Sequence, residues 1–100
     1  MDKTSDVLQK EKYYVYTLLS LKDNKLYTGY TVDLQKRLND HMRGLSRATR
    51  YRRPLLLIHC EYFIDRTDAK AREIFLKSGF GRKQLKESLK RTLRSTIIES

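Results

Sequence analysis

Four residues in the first half of the chain could together act on a phosphate ester. Tyr16 and Tyr27 lie in two neighbouring segments rich in aromatic and β-branched residues, and Arg37 and His41 follow four residues apart. On a helix that spacing makes Arg37 and His41 neighbours on one face. A guanidinium binds phosphate, an imidazole carries protons near neutral pH, and phenols supply hydroxyl groups. Taken singly, the tyrosines could equally be sheet-face aromatics, and Arg37 and His41 could be surface residues.

Glu73 lies in the middle of a second predicted helix, beside its apolar face. A carboxylate at this position could bind a hard divalent cation such as Mg²⁺, which takes one or two protein carboxylates and completes its shell with phosphate oxygens and water. The ordinary alternative for a helical glutamate is a salt bridge, here with Lys70, Arg72 or Lys77. The sequence leaves both alternatives open.

The charge of the chain indicates a polyanionic partner. The chain carries 22 Lys and Arg against 12 Asp and Glu, a net charge of +10. A domain with this excess suits nucleic acid or an anionic membrane surface. The basic residues expected to contact backbone phosphates include five arginines in an acid-free segment and two residues further on, namely Arg43, Arg47, Arg50, Arg52, Arg53, Arg82 and Lys83. Such contacts position a protein without reading sequence.

Length and composition exclude several classes of protein. With 100 residues the chain forms one domain with one core. Its longest aliphatic run, residues 55–58, is far shorter than the roughly 20 residues that span a bilayer, and no secretory signal is expected. The one cysteine, Cys60, predicts a reducing compartment and a cytoplasmic protein. One Cys and two His also argue against a structural zinc site.

Three segments are predicted to be strands. Residues 13–21 and 25–30 form an antiparallel hairpin around the turn residues 22–24. Alternation puts Tyr14, Tyr16 and Leu18 on one face of the first strand. Gly29 permits close approach of a backbone or a ligand, or marks a bulge. Residues 55–63 form the third strand, whose apolar start predicts a central position covered on both sides, with His59 and Cys60 as buried structural residues.

Three helices complete the pattern. The first is capped by Thr31 or Asp33. The second is opened by Thr67 or Asp68, and Gly79 and Gly81 interrupt the chain after it. Their predicted apolar faces are, in chain order, Leu34, Leu38 and Met42; Ala71, Ile74 and Phe75; and Leu85, Leu89, Leu93 and Ile97.

The order β-β-α-β-α-α is typical of a small α+β domain. Residues 1–12 form a polar N-terminal extension, residues 13–94 the folded domain and residues 95–100 a C-terminal tail. No repeat or low-complexity segment interrupts this organisation.

The series of residues resembles the GIY-YIG nuclease superfamily, in particular its small stand-alone bacterial members. The first signature of that family stands here as Tyr-Val-Tyr at residues 14–16 and the second as Tyr-Thr-Gly at residues 27–29, a spelling that resembles the small stand-alone members. The resemblance covers about residues 13–83. Further matches at the expected spacing are Asp33, Leu34, Arg37, His41, the run at residues 49–54, Ala69, Arg72, Glu73, Leu76 and Lys77.

The resemblance implies a three-stranded antiparallel sheet flanked by helices, and an endonuclease that cleaves DNA phosphodiesters with one Mg²⁺ or Mn²⁺ in DNA repair or recombination. Tyr16 and Tyr27 would line the site, and one of them would orient or deprotonate the attacking water. Arg37 would stabilise the transition state. His41 would hydrogen-bond to a tyrosine, and Glu73 would hold the metal.

Two other functions stay open at this stage. One is a nucleic-acid-binding module that keeps the fold and has lost catalysis. The other is a basic structural protein that binds RNA or nucleoid DNA through charge alone. The sequence favours DNA over RNA as the partner, and it leaves protein partners, oligomeric state and substrate specificity open.

Overall fold

A computed structural model describes residues 8–97. Residues 1–7 of the predicted N-terminal extension and residues 98–100 of the predicted tail lie outside this range. Within it the chain forms three strands and four helices: β1 (Tyr13–Ser20), β2 (Leu26–Thr31), α1 (Leu34–Met42), β3 (Leu55–Phe63), α2 (Arg66–Lys77), α3 (Gly79–Ser88) and α4 (Lys90–Ile97). A short 3-10 helix, Arg50–Arg52, precedes β3. These helices are all too short to cross a membrane.

The three strands form one antiparallel sheet in the order β2-β1-β3, which confirms the α+β class. The prediction that the third strand is central is wrong. β1 occupies that place, and its residues 15–20 are all buried because they have a strand on each side. β3 is an edge strand on which Leu56 and Leu57 each stay 40% exposed.

The two faces of β1 point toward different helices. Val15 packs on one face with Ala69 of α2, Leu76 of α2 and Leu85 of α3, and these residues form the main core. Tyr16, the next residue along the strand, points to the opposite face, as alternation requires. That face is covered by α1, and it carries the candidate site.

Asp33 caps α1, as one of the two predicted alternatives, because its side chain accepts a hydrogen bond from the backbone N–H of Lys36. The predicted apolar stripe of this helix is wrong at its last position. Met42 is 68% exposed, whereas its neighbour His41 is 2% exposed. A polar residue therefore occupies the most buried position of α1.

α2 begins earlier than predicted. Asp65, rather than Thr67 or Asp68, is the N-cap, and it accepts a hydrogen bond from the backbone N–H of Thr67. The predicted apolar face is also wrong for two of its residues, since Ala71 and Ile74 are exposed.

The face of α2 that meets the sheet contains Ala69 and Leu76, and both are buried. Glu73 lies between them at helical spacing and interrupts the apolar pattern. This carboxylate explains why hydrophobic periodicity selected the wrong face.

The predicted third helix is two helices, because α3 ends at Ser88 and α4 begins at Lys90. Ser78 caps α3, with its side chain accepting from the backbone N–H of Gly81. Gly81 is buried against the backbone carbonyl of Phe75, so a side chain at this position would collide with α2. The glycines at this junction thus start a new helix and allow it to pack closely.

Candidate active site

Tyr16, His41 and Thr49 form a chain of buried hydrogen-bonding groups on the α1 side of the sheet. The hydroxyl of Tyr16 lies 2.8 Å from Nε2 of His41, and Nδ1 of His41 lies 2.7 Å from Oγ1 of Thr49. None of the three side chains is more than 2% exposed. With both ring nitrogens engaged, the imidazole is held in one orientation.

The environment of Tyr16 keeps its hydroxyl protonated. Burial raises the pKa of the Tyr16 phenol well above its ordinary value, and the neighbouring Tyr27 raises it further, while the charge of Arg37 and a hydrogen bond from Arg37 act in the opposite direction. A phenol in this state donates a hydrogen bond and is a poor base.

The environment of His41 keeps its ring neutral. Burial lowers the pKa of His41 to about 4, the charge of Arg37 lowers it too, and Asp40 opposes the shift. A neutral imidazole has one donor and one acceptor nitrogen. Because Tyr16 donates to Nε2, we assign the proton of the ring to Nδ1, which then donates to Thr49.

Tyr27 lies beside this chain and is more accessible than Tyr16. Its ring centroid lies 5.2 Å from that of His41 and 6.3 Å from that of Tyr16. Tyr27 is half-buried, whereas Tyr16 is 0% exposed. Of the two phenols, Tyr27 is therefore the one that an external molecule can approach.

Arg37 places a positive charge next to the phenols. Its guanidinium lies 3.4 Å from Oγ of Ser46 and 3.8 Å from Oδ2 of Asp40, with one third of the side chain exposed. The carboxylate contact is long, so it leaves the guanidinium able to bind a phosphate.

Gly29 allows Tyr16 to occupy its position. The two residues are partners across the β1–β2 pair. A Cβ atom on Gly29 would lie 2.5 Å from the hydroxyl oxygen of Tyr16 and 2.6 Å from its Cζ. The group that approaches this glycine is the Tyr16 phenol, rather than the backbone or the ligand that was predicted.

Sequence reasoning did not select Ser46 and Thr49 as site residues. Both belong to the basic segment between α1 and β3, and both are buried while the arginines around them are mostly exposed. The signal that could have identified Ser46 and Thr49 is that they are small hydroxyl residues within an otherwise basic segment. Their partners on α1 could not be identified from spacing.

A model of the GIY-YIG catalytic domain matches residues 12–86, most of the chain. The chain belongs to the GIY-YIG family. This membership supports a nuclease role. The two family signatures lie on β1 and β2, where they bring Tyr16, Tyr27 and Gly29 together.

Curated relatives of similar size carry the name UPF0213 protein. One from Staphylococcus haemolyticus is 40% identical over 74 residues, which cover 73% of this chain and 88% of the relative. One from Staphylococcus saprophyticus is 38% identical over 77 residues, which cover 76% and 93%. One from Clostridium perfringens is 42% identical over 65 residues, which cover 64% and 69%. These names state no activity.

Glu73 of this GIY-YIG chain lies on α2, which packs on the Val15 face of the sheet, opposite the face of Tyr16. Its side chain is 13% exposed and forms the salt-bridge alternative. Oε1 lies 3.4 Å from Nζ of Lys70, and Oε2 lies 2.9 Å from Nζ of Lys77.

The surroundings of Glu73 fit a metal site with one carboxylate ligand. Both lysines are about half exposed, and ion pairs of this kind are weak enough to be displaced. Among residues 8–97 the buried hydroxyl of Tyr30 has no hydrogen-bond partner, and Nζ of Lys70 lies 4.4 Å from the ring centroid of Tyr30. Within residues 8–97 no three His, Cys, Asp or Glu side chains come together, so phosphate and water would supply the other ligands.

Arg72 was the third predicted salt-bridge partner of Glu73, but it pairs with Glu61 instead. Its Nε lies 3.1 Å from both carboxylate oxygens of Glu61. Glu61 also lies 2.7 Å from Nε2 of His59, whose Nδ1 lies 3.3 Å from Oγ1 of Thr17. His59 thus has structural contacts. The expectation that Cys60 is buried is wrong, because this face of the edge strand is uncovered and the thiol is exposed.

Two of the predicted phosphate-binding arginines, Arg52 of the basic segment and Arg82 of α3, converge although they are far apart in sequence. They line a cavity of about 460 Å³ together with Asn24, Lys25, Leu26 and Lys86. Arg52 also pairs with Asp23, at 3.2 Å. The remaining predicted contacts, which are all exposed, are Arg43, Arg47, Arg50, Arg53 and Lys83.

Proposed function

We propose that this protein is a metal-dependent endonuclease that hydrolyses phosphodiester bonds in DNA. The observation that carries the proposal is the joint placement of Tyr16, Tyr27, Arg37 and His41 on one face of the sheet. Two phenols, a guanidinium and a neutral imidazole can hold a phosphate and direct a water molecule toward it.

Tyr27 is the residue that we assign to the attacking water. It is accessible, whereas Tyr16 is buried and its raised pKa keeps it protonated. Tyr16 is then a positioning residue. Its hydroxyl bonds to His41, whose ring bonds to Thr49, and this chain fixes the direction of the Tyr16 hydroxyl beside the ring of Tyr27.

Arg37 is assigned to the phosphate. During hydrolysis the phosphate passes through a state with more negative charge than the substrate, so a guanidinium contact becomes stronger there. The contact of Arg37 with Asp40 is long enough to be exchanged for a phosphate oxygen.

Glu73 is assigned to a Mg²⁺ or Mn²⁺ ion, although α2 packs on the other face of the sheet from Tyr16 and Arg37, so the structure does not group Glu73 with these residues. When bound, such an ion supplies charge stabilisation for the phosphate and for the leaving oxygen. Lys70 and Lys77 pair with the carboxylate in the free protein.

A nucleic acid is the proposed partner because the chain has a net charge of +10 and its exposed arginines are concentrated in one segment, and we take it to be DNA because the family resemblance implies a DNA endonuclease. The exposed Cys60 suits a reducing compartment, and we place the activity in the cytoplasm. A role in DNA repair or recombination belongs to the same proposal.

A cleavage assay tests the proposal. Labelled single-stranded, duplex, flap and branched DNA, together with RNA, are incubated with Mg²⁺ or Mn²⁺ and either the wild type, Arg37→Ala or Arg43→Ala. We expect Arg37→Ala to slow cleavage by about 100-fold or more. Arg43→Ala is the matched control, because Arg43 is an exposed arginine just after the end of α1. This variant should change the cleavage rate only severalfold.

The proposal is overturned if no substrate is cleaved with either metal ion, or if Arg37→Ala cleaves as fast as the wild type. In the first case, salt-sensitive binding without product would identify the binding module instead.

A further inference from the structure

A cavity of about 720 Å³ opens beside the candidate site, on the same face of the sheet. It lies between α1, β3 and the basic segment that precedes β3. His41 belongs both to its lining and to the hydrogen-bonded chain with Tyr16. The cavity therefore adjoins the hydrogen-bonded chain of the candidate site through His41.

The walls of the cavity are mainly apolar. They exist because α1 covers only part of its face of the sheet, which leaves the β3 side open. Leu57 is 40% exposed at this opening, and Met42 is 68% exposed. The apolar lining residues are Leu18, Leu38, Met42, Pro54, Leu55 and Leu57.

The rim of the cavity is positively charged and carries an exposed aromatic ring. Lys22, Arg50 and Arg53 line it, and no acidic residue of the described range 8–97 does. Tyr51 is 75% exposed, with the guanidinium of Arg50 5.1 Å from the centroid of its ring. Nζ of Lys22 donates to the backbone carbonyl of Tyr51 at 3.0 Å.

The basic segment that forms this rim is held in place by backbone contacts. Arg53 donates to the carbonyl oxygens of Arg50 and Met42, each at 3.1 Å. Ser20 of β1 donates to the carbonyl of Arg52 at 2.6 Å. The cavity is thus a formed feature of the free protein, with few groups left to order when a ligand binds.

We propose that this cavity binds one unstacked nucleobase of the nucleic acid whose phosphate lies at Arg37. The occupant must combine a flat, largely apolar body with adjacent negative charge, because an apolar floor lies under a cationic rim. A nucleotide within a strand has both features, and bases outside a duplex are commonly held on aromatic and apolar side chains. An acidic peptide would match both the rim and the floor only where an aromatic side chain stands beside its charges, whereas every nucleotide of a strand carries both features.

The inference rests on the proposed function, since it names a subsite of the same substrate. It adds a consequence for specificity. A base can enter the cavity only where it is unpaired or turned out of the helix, so the subsite selects such positions near the scissile bond.

Binding without catalysis tests the subsite. The probes are an oligomer of thymidines and an oligomer of abasic residues of the same length and charge, each fluorescently labelled and titrated in EDTA so that no cleavage occurs. We expect the wild type to bind the thymidine oligomer at least about fivefold more tightly, the lower range of what stacking of one base contributes.

Two neighbouring leucines on β3 provide the matched variants. Leu57 lines the cavity, and Leu56 points to the other face of the strand with the same 40% exposure. Leu57→Asn should remove the preference for the thymidine oligomer, and Leu56→Asn should retain it. Tyr51→Ala, at a 75% exposed position, is a second variant that should reduce the preference without affecting folding.

The subsite is overturned if the wild type binds both oligomers equally, or if Leu57→Asn and Leu56→Asn give the same preference. Because the titration contains no metal ion, a failure of cleavage does not affect it. Conversely, a protein that cleaves DNA but does not distinguish the two oligomers would overturn the subsite alone.

Discussion

The hydroxyl of Tyr16 and Nε2 of His41 are 2.8 Å apart, both buried and both neutral near pH 7. This hydrogen bond joins the central strand to α1. It also relates the stability of the domain to the state of its candidate site, since Nε2 of His41 would otherwise lose its hydrogen-bond donor in a buried position.

The free energy of unfolding should decrease as the solution is made more acidic, because His41 is buried in its neutral form. Its pKa is about 4 in the folded protein against about 6.5 when exposed. The unfolded chain therefore takes up the proton first, and stability is complete above pH 6.5 and decreases as the pH falls toward 4. The loss amounts to about 3 kcal/mol. Urea unfolding at several pH values measures it.

His41→Gln is the comparison for this pH dependence. The variant should be less stable at pH 7, because the buried chain is disturbed, yet it should lose less stability than the wild type between pH 7 and pH 4. Parallel pH profiles for the two proteins would show that His41 does not titrate in the way its burial requires.

Gly29→Ala should displace Tyr16. The added methyl group would lie 2.5 Å from the phenol oxygen, and overpacking of this kind costs about 1–3 kcal/mol. The cleavage rate should fall as well, because the tyrosine–histidine chain moves.

Gly79→Ala is the control, since a methyl group at residue 79 meets nothing within 4 Å among the described residues. We expect the stability of this variant to stay unchanged or to rise. Thermal unfolding of both variants decides the matter, and equal effects would contradict the close packing of Gly29 on Tyr16.

Removing the hydroxyl of Tyr27 should mainly affect the cleavage rate, whereas removing that of Tyr16 should affect the stability of the fold. Tyr27→Phe should slow cleavage by about 100-fold or more with little change in stability, as for loss of a proton-transfer group. Tyr16→Phe should lower the free energy of unfolding by about 1–3 kcal/mol, because Nε2 of His41 loses its donor. Cleavage rates and urea unfolding of the two variants, measured side by side, test the assignment. A Tyr27→Phe protein as active as the wild type would refute the role of Tyr27.

Much of the fold could be predicted from local patterns. The third strand was predicted with its observed bounds, and the hairpin and the cap at Asp33 were predicted because their signals lie within a few residues. The position of β3 was not, since the order of strands depends on contacts between distant segments. Leucines at 55–57 are typical of a central strand, but here they line an open cavity and an uncovered edge.

The candidate site was predictable only in part for a related reason. Arg37 and His41 could be paired by helical spacing, and the resemblance joined them to the tyrosines. Thr49 could not be found, because its contact with His41 requires the path of the intervening loop. The sheet-facing stripe of α2 was missed because Glu73 stands within it. Hydrophobic periodicity fails at the position where a carboxylate replaces an apolar residue.

Metal-dependent cleavage by Glu73→Gln tests the central claim most directly. The rate for the wild type, Glu73→Gln and Glu87→Gln is measured on one DNA substrate as Mg²⁺ or Mn²⁺ is raised. Glu87 is the control, since it is an exposed helical glutamate paired with Lys90. We predict that Glu87→Gln follows the wild type, whereas Glu73→Gln shows little cleavage at any metal concentration. A Glu73→Gln protein that cleaves DNA with the rate and metal dependence of the wild type would contradict the account.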